Sequence, residues 1–274
     1  MKLTSVIADK LRLPGSPTSV DQMNSSERLR NHRAILESKP AFSLIANDIH
    51  RMILNKIEDL CGDVKSKQII EIGAGVIPLS SLSKHTISTD IETSDGLDLI
   101  ASATSMPFKS SSVRAVVAQN VFHHIPHPDN AMSEFSRILD DGGIVVLVEP
   151  YFGRFASFVY PALFSSEGYD KNLNFDEKLL NSHGDELPNQ AISYRYFSAG
   201  EIGVMKNYPN MEIVFAKPMR SGLRYLLSGA LNFRKLVPNP LLGLLRFIEA
   251  RKSIGWVLNI FAIHWVIVIR PTAG

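Results

Sequence analysis

Two carboxylates bracket a glycine turn: Glu71 stands just before Gly73-Ala74-Gly75, and Asp90 follows a second short apolar run. Glycines at such a turn let the backbone approach a ligand with no Cβ in the way. A turn between a strand and a helix holds an adenosine-bearing ligand, with the free N–H groups of the helix pointing at the same place. The carboxylate of Glu71 does not suit a pyrophosphate, which is already negative, and does suit a cationic ligand. Asp90 at a strand end can accept both hydroxyls of a ribose. After the run Val116-Val117-Ala118 come Gln119, Asn120 and the pair His123-His124. Histidine titrates near neutrality, so His124 is the first candidate for a general base. His183, near Asp185 and Glu186, is the second, and Glu149 is a candidate to orient either one. The bland alternative for His123 and His124 is a loop cap, and for Asp90 a turn residue at a strand end.

These residues need elements to position them. Ser25-Ser26 can start a helix that Lys39-Pro40 ends, because the residue before proline avoids helical angles. Residues 41–60 repeat apolar side chains at helical spacing through Leu44, Ile45, Ile49, Met52, Ile53 and Ile57. The period then changes. Strands are expected at 68–72, 86–89, 97–101, 114–119 and 144–148, with helices at 78–84 and 130–139 and a turn at Asp141-Gly142-Gly143. Buried β-branched runs alternating with helices predict a parallel sheet covered on both faces. Residues 151–210 lose this rhythm, and further strands are expected at 211–216 and 265–269. The expected division is a helical lead over 1–62, an α/β core over 63–150 and a substrate lobe with the last strands over 151–274.

In order, Glu71-Ile72-Gly73-Ala74-Gly75, Ser102-Ala103-Thr104-Ser105-Met106-Pro107-Phe108, Phe122-His123-His124-Ile125 and the stretch from Glu134 through Arg137-Ile138-Leu139 and Gly142-Gly143 to Glu149-Pro150 resemble the class I S-adenosylmethionine-dependent methyltransferases. The resemblance covers roughly residues 66–150. It implies a Rossmann-like sheet, mostly parallel with an antiparallel last strand, and S-adenosyl-L-methionine as cofactor. It implies cofactor contacts from Glu71, Gly73, Ala74, Gly75, Asp90, Ile91, Ser102, Ala103, Gln119 and Asn120. Two positions depart from the family pattern: its third glycine falls at Ile77, and its adenine-binding aspartate falls at Ser102. A nicotinamide-dependent oxidoreductase and a non-catalytic adaptor on a degenerate version of the fold are the alternatives.

The bulk properties bound the rest. The 274 residues are long enough for a sizeable core, at 45% hydrophobic and 20% charged. A net charge of +2 is too small to imply nucleic acid. The single cysteine, Cys61, excludes an internal disulfide and a cysteine-cluster metal site, and fits a reducing, cytoplasmic compartment. No metal, signal peptide or membrane span is expected. Residues 219–262 mix leucine, phenylalanine and tryptophan with Arg220, Arg224, Arg234, Lys235, Arg246, Arg251 and Lys252 against one acid, Glu249. An apolar face with a basic rim reads as an interfacial segment on anionic lipid; a hydrophobic lid or a dimer contact is the alternative. With His32-Arg33 and Lys39-Pro40 at an N-terminal helix entry, then Glu149-Pro150-Tyr151 and an aromatic and acidic lobe, the layout is also similar to methyltransferases of bacterial surface-polysaccharide and lipopolysaccharide synthesis. That resemblance implies O-methylation of a sugar, a lipid-linked glycan or another small acceptor, and the segment 219–262 leads to an expectation of peripheral attachment to the inner membrane face.

Overall fold

The computed structural model describes residues 8, 10–13, 25–62, 67–94, 96–125, 127–164, 168, 190–198 and 210–272. Helices α1 (Ser25–Ser38) and α2 (Pro40–Cys61) come first, broken at Lys39 as the following proline dictates. Strands β1 (Gln68–Ile72), β2 (Thr86–Asp90), β3 (Leu99–Ile100) and β4 (Val113–Gln119) follow, then helix α3 (Pro128–Ile138) and strand β5 (Leu139–Pro150). Beyond them lie α4 (Arg154–Leu163), α5 (Ile192–Phe197), β6 (Met211–Pro218), α6 (Gly222–Leu227), α7 (Asn239–Glu249), α8 (Gly255–Ile260) and β7 (His264–Pro271).

The strands form one seven-stranded sheet in the order β3-β2-β1-β4-β5-β7-β6, mostly parallel with one antiparallel strand. The β1–β2, β1–β4, β2–β3 and β4–β5 pairs are all parallel. Inner strands such as β1 and β4 are buried along nearly their whole length, which is why they read as continuous apolar runs. The chain moves outward from β1 to β3 and returns to β4 on the other side. That reversal opens a crevice at the carboxyl ends of β1 and β4, where open α/β sheets bind ligands.

Two expectations need correction. The helix expected at 78–84 is a single 3₁₀ turn, Leu79–Ser81. Residues 73–85 must complete the glycine turn and return to β2, which leaves no length for a full helix. Ser80, Ser81 and Ser83 are also poor helix formers, since their hydroxyls compete for backbone groups. The glycine turn is therefore not backed by a helix N-terminus. The second correction concerns Asp141-Gly142-Gly143, which is an irregularity within β5 rather than a turn before it. Pairing with β4 jumps from Val113↔Leu139 to Ala115↔Ile144, and Gly142 takes φ +78°.

The chain divides into two compact units: residues 1–49, 151–169 and 218–265 form one, and residues 50–150, 170–217 and 266–274 the other. The sheet strands before Tyr151 belong to the second. In the first, Ala156, Val159, Tyr160 and Ile263 form a buried cluster packed by Phe155, Leu163, Phe164, Tyr225 and Leu226. Arg224 is 5% exposed and donates to Asp48 Oδ2 at 2.9 Å and Glu249 Oε2 at 2.8 Å. Arg246 also holds Asp48, at 2.6 Å. Two of the arginines counted in the basic rim thus belong to an internal ion-pair network. Desolvation by burial, with the Asp48 carboxylate nearby, raises the Glu249 pKa to about 7 against the opposing pull of Arg224 and Arg246. Lys39 is 8% exposed, and its ammonium is held by the carbonyls of Ala230 at 2.8 Å, Gly229 and Phe233. Burial lowers its pKa to about 8. No described helix is long and apolar enough to cross a membrane.

Candidate active site

Parallel register brings the sequence-distant candidates to one edge of the sheet. Ile72 lies opposite Thr89 of β2 and Ala118 of β4, so the next residues of all three strands emerge together. Those residues are Gly73, Asp90 and the Gln119-Asn120 pair. Gly73 and Gly75 have φ +64° and +58°, in the left-handed region. The Ala74 N–H donates to Thr89 O at 3.1 Å, and the Gly75 N–H points at Asp90 Oδ2 at 3.5 Å. Asp90 Oδ1 accepts weakly from the Glu92 N–H at 3.4 Å. Its carboxylate is half-buried beside the turn.

Glu71 is 4% exposed and lies beneath the turn. Its Oε2 accepts from the Leu79 N–H at 2.7 Å and from Ser88 Oγ at 2.6 Å. The carboxylate thus ties the returning 3₁₀ turn to β2. Desolvation raises its pKa to about 7, against the opposing hydrogen bonds from Ser88 and Leu79.

On the β3 side, Ile91, Ile100, Ala101, Ser102, Ser105, Met106 and Pro107 line a cavity of about 440 Å³. Ile91 and Ile100 are 60% and 59% exposed, so two large apolar side chains stand uncovered at its rim. Ser102 is exposed, with Oγ 2.9 Å from Thr104 Oγ1, whereas Ala103 is 7% exposed.

At the mouth of β4, Asn120 takes φ +54° and its N–H donates to Val148 O at 2.8 Å. The side-chain oxygens Gln119 Oε1 and Asn120 Oδ1 are buried with no hydrogen-bond partner among the described residues. Buried acceptors left in this way are costly unless a ligand or solvent satisfies them.

His124 sits half-buried in a 3₁₀ turn, Phe122–His124, beside that mouth. Glu149, fully buried, holds its neighbour: Oε2 lies 2.6 Å from His123 Nδ1. Glu149 Oε1 accepts from the Val121 and Phe122 N–H groups at 3.0 and 2.9 Å. Sequence position offers Glu149 to His124 or His183, whereas the structure pairs it with His123. The only signal for that pair in the sequence is the position of each residue just past β4 and at the end of β5, which adjacent strands bring together. The His123 and His124 rings stand 4.2 Å apart. Phe122 packs against Tyr196 and Phe197 of α5 at 5.2 and 4.8 Å, which closes the back of the turn. His183, Asp185 and Glu186 lie outside the described residues. No cluster of metal-ligating side chains occurs among the described residues.

Residues 78–147 match the family described as methyltransferase domain. No curated protein matches the chain. Among solved structures, the chain is similar to geranyl diphosphate C-methyltransferase from Streptomyces coelicolor, at 11% identity over 85% of this chain and 84% of that one, with TM-score 0.44. It is also similar to a candidate methyltransferase of Haloferax volcanii in complex with the Trm112 methyltransferase activator, at 14% identity, 88% and 98% coverage and TM-score 0.42. A third, a candidate methyltransferase of Bacillus halodurans, shares 14% identity over 81% and 99%, with TM-score 0.41. With the sheet order, the domain match defines a class I methyltransferase fold. That match covers about a quarter of the chain, all of it within the α/β core. Of the two enzyme classes left open by the sequence, the match falls on methyl transfer.

Proposed function

We propose that this chain is an S-adenosylmethionine-dependent methyltransferase and that it methylates a hydroxyl of a sugar, a lipid-linked glycan or another small membrane-associated acceptor. The observation that carries the placement of the cofactor is the set of groups converging at one sheet edge. These are a left-handed glycine turn, a half-buried carboxylate at Asp90, and two buried side-chain oxygens, on Gln119 and Asn120, with no protein partner among the described residues. They fit S-adenosylmethionine. Asp90 accepts the ribose hydroxyls, Gly73, Ala74 and Gly75 admit the backbone of the ligand, and Glu71 holds that turn in shape. Ile91, Ser102 and Ala103 lie at the adenine end, and Gln119 and Asn120 offer acceptors to the ammonium end. When bound, S-adenosylmethionine supplies a methyl group already activated on a sulfonium. The chain's part is then to align donor and acceptor, worth up to about 7–11 kcal/mol in favourable cases. His124 is the base that takes the acceptor's proton, with His183 the second candidate.

Calorimetry with S-adenosylmethionine tests the reading. Asp90→Ala is expected to weaken binding about 100-fold or more through loss of two charge-assisted hydrogen bonds. Unchanged affinity in Asp90→Ala removes the ribose assignment. If His124→Ala and His183→Ala both turn over sugar acceptors within about threefold of wild type, against the 10²–10⁴-fold typical of a general base, no histidine base operates.

Membrane attachment is favoured by a separate observation in the first unit. Leu244 and Phe247 of α7 are 52% and 58% exposed, and Trp256 and Ile260 of α8 are 71% and 53% exposed. The Arg251 guanidinium lies 4.3 Å from the Phe247 ring centre, and Arg234 and Lys235 are exposed nearby in sequence. Exposed aromatic and aliphatic side chains beside cations are what an anionic bilayer surface accepts. Flotation with anionic vesicles is expected to carry the protein up, and Phe247→Ser with Trp256→Ser to abolish this. Dimerisation without flotation supports the subunit contact instead.

A further inference from the structure

The loop that follows β3 has no regular structure, yet it forms one wall of the 440 Å³ cavity through Ser102, Ser105, Met106 and Pro107. An ion pair on α3 holds it from behind. Glu134 and Arg137 are one helical turn apart. The Arg137 Nε donates to Glu134 Oε2 and its Nη2 to Glu134 Oε1, both at 2.7 Å, which is the two-pronged geometry that only a guanidinium offers. The same two side chains then take both backbone polar groups of Met106. Its N–H donates to Glu134 Oε1 at 2.6 Å, and its carbonyl accepts from Arg137 Nη2 at 3.1 Å. Arg137 Nη1 reaches one residue pair further, to Phe108 O at 2.9 Å, with Ser110 Oγ at 3.4 Å.

The pair thus holds Met106, a wall residue, and Phe108, which flank Pro107 on each side. Met106 is 5% exposed, so its backbone groups find no solvent if the pair is lost. Pro107, which lines the cavity, has no N–H of its own and cannot be tied directly. Its position depends on its neighbours on each side, and those are the residues held. Ser102 stands where a stronger adenine-binding carboxylate is expected, so the shape of this wall carries more of the adenine recognition than a side-chain hydrogen bond does.

We infer that Glu134 and Arg137 are positioning residues for cofactor affinity, acting through Met106 and Pro107 on the adenine end of the site. This rests on the reading of the cavity as the adenine site. With the pair removed, the wall is mobile in the free protein and must be ordered by the ligand, a cost paid in affinity.

The test uses the full chain with S-adenosylhomocysteine and adenosine as calorimetric probes. Arg137→Met and Glu134→Gln are each expected to raise the Kd for S-adenosylhomocysteine about tenfold, for loss of a few hydrogen bonds. The double variant is expected to match the single ones, because both act on one loop. Arg137→Lys keeps the charge but not the fork, and falls between. Adenosine loses the same factor, which locates the effect at the base. The melting temperature of the ligand-free protein shifts by only a few degrees, which separates positioning from general destabilisation. If Arg137→Met fails to fold, Arg137→Lys and Glu134→Gln carry the comparison. Wild-type binding with all variants within twofold overturns the inference alone, as does a loss confined to S-adenosylhomocysteine with adenosine unaffected. No binding by the wild type overturns the cofactor reading first, and this inference with it.

Discussion

The glycine turn contains its own controlled comparison. Gly73 and Gly75 both have positive φ, but they differ in what a Cβ meets. At Gly75 the nearest atom is the Gly73 carbonyl oxygen at 3.9 Å, an ordinary contact. At Gly73 a Cβ overlaps both methyl groups of Val121, with Cγ1 at 2.9 Å. Gly75→Ala therefore carries only the conformational cost of a left-handed alanine, about 1–2 kcal/mol. Gly73→Ala adds an overpacking cost of about 1–3 kcal/mol, for a total of roughly 2–5. Against a typical stability of about 5–15 kcal/mol, the second variant is marginal and the first is not. Val121→Ala removes the overlapping methyls, so combining it with Gly73→Ala recovers the overpacking part and leaves the conformational part. The assay is urea unfolding of the four proteins in a double-mutant cycle, with a coupling energy of about 1–3 kcal/mol expected in the stabilising direction. A coupling of zero, or equal losses at Gly73 and Gly75, refutes the claim that Val121 of the β4 mouth sets the form of the turn.

Two further outcomes follow from the buried carboxylates. Glu71 has a folded pKa of about 7, above its ordinary value of 4.5, so the folded state binds the extra proton between those limits. Its contribution to stability is full below about pH 4.5 and is lost as pH rises through about 7. Glu71→Gln keeps an oxygen for the Leu79 and Ser88 donors and is expected to flatten that part of the profile, by an amount on the order of 3 kcal/mol. Urea midpoints at pH 5 and pH 8 check this, and parallel profiles for the two proteins count against it. Glu149→Ala strips the acceptor from the Val121 and Phe122 N–H groups and from His123 in a fully buried position. A loss of at least about 3 kcal/mol is expected from these orphaned groups. A shift under 1 kcal/mol in denaturant unfolding would falsify the view that Glu149 anchors the β4 loop.

Much of the α/β core was legible in the chain because buried parallel strands leave a signature in composition. Residues 144–148 and 265–269 are apolar on both faces, and 68–72 and 114–119 are nearly so. Helices α1 and α2 were legible from periodicity and from Lys39-Pro40. The segment 78–84 satisfies the local rules for a helix start with a proline and a serine-rich run, yet forms only a 3₁₀ turn because the distance back to β2 limits it. The basic rim of 219–262 was overcounted for a similar reason. Charge is visible in sequence, but Asp48, which occupies Arg224 and Arg246, lies far upstream.

Residue type and order by themselves carry the resemblance on which the ligand proposal rests: Gly73-Ala74-Gly75, Asp90 and the segments after β3 and β4 are local features, each readable where it stands. Tertiary structure decided what each group does there. Only the parallel register sets Glu149 against His123 rather than His124, since the contact joins the ends of two adjacent strands. Only the packing puts Glu71 beneath the turn, tied to Leu79 and Ser88. A carboxylate's chemistry is carried in its sequence, but its partner is chosen by the path of the backbone around it.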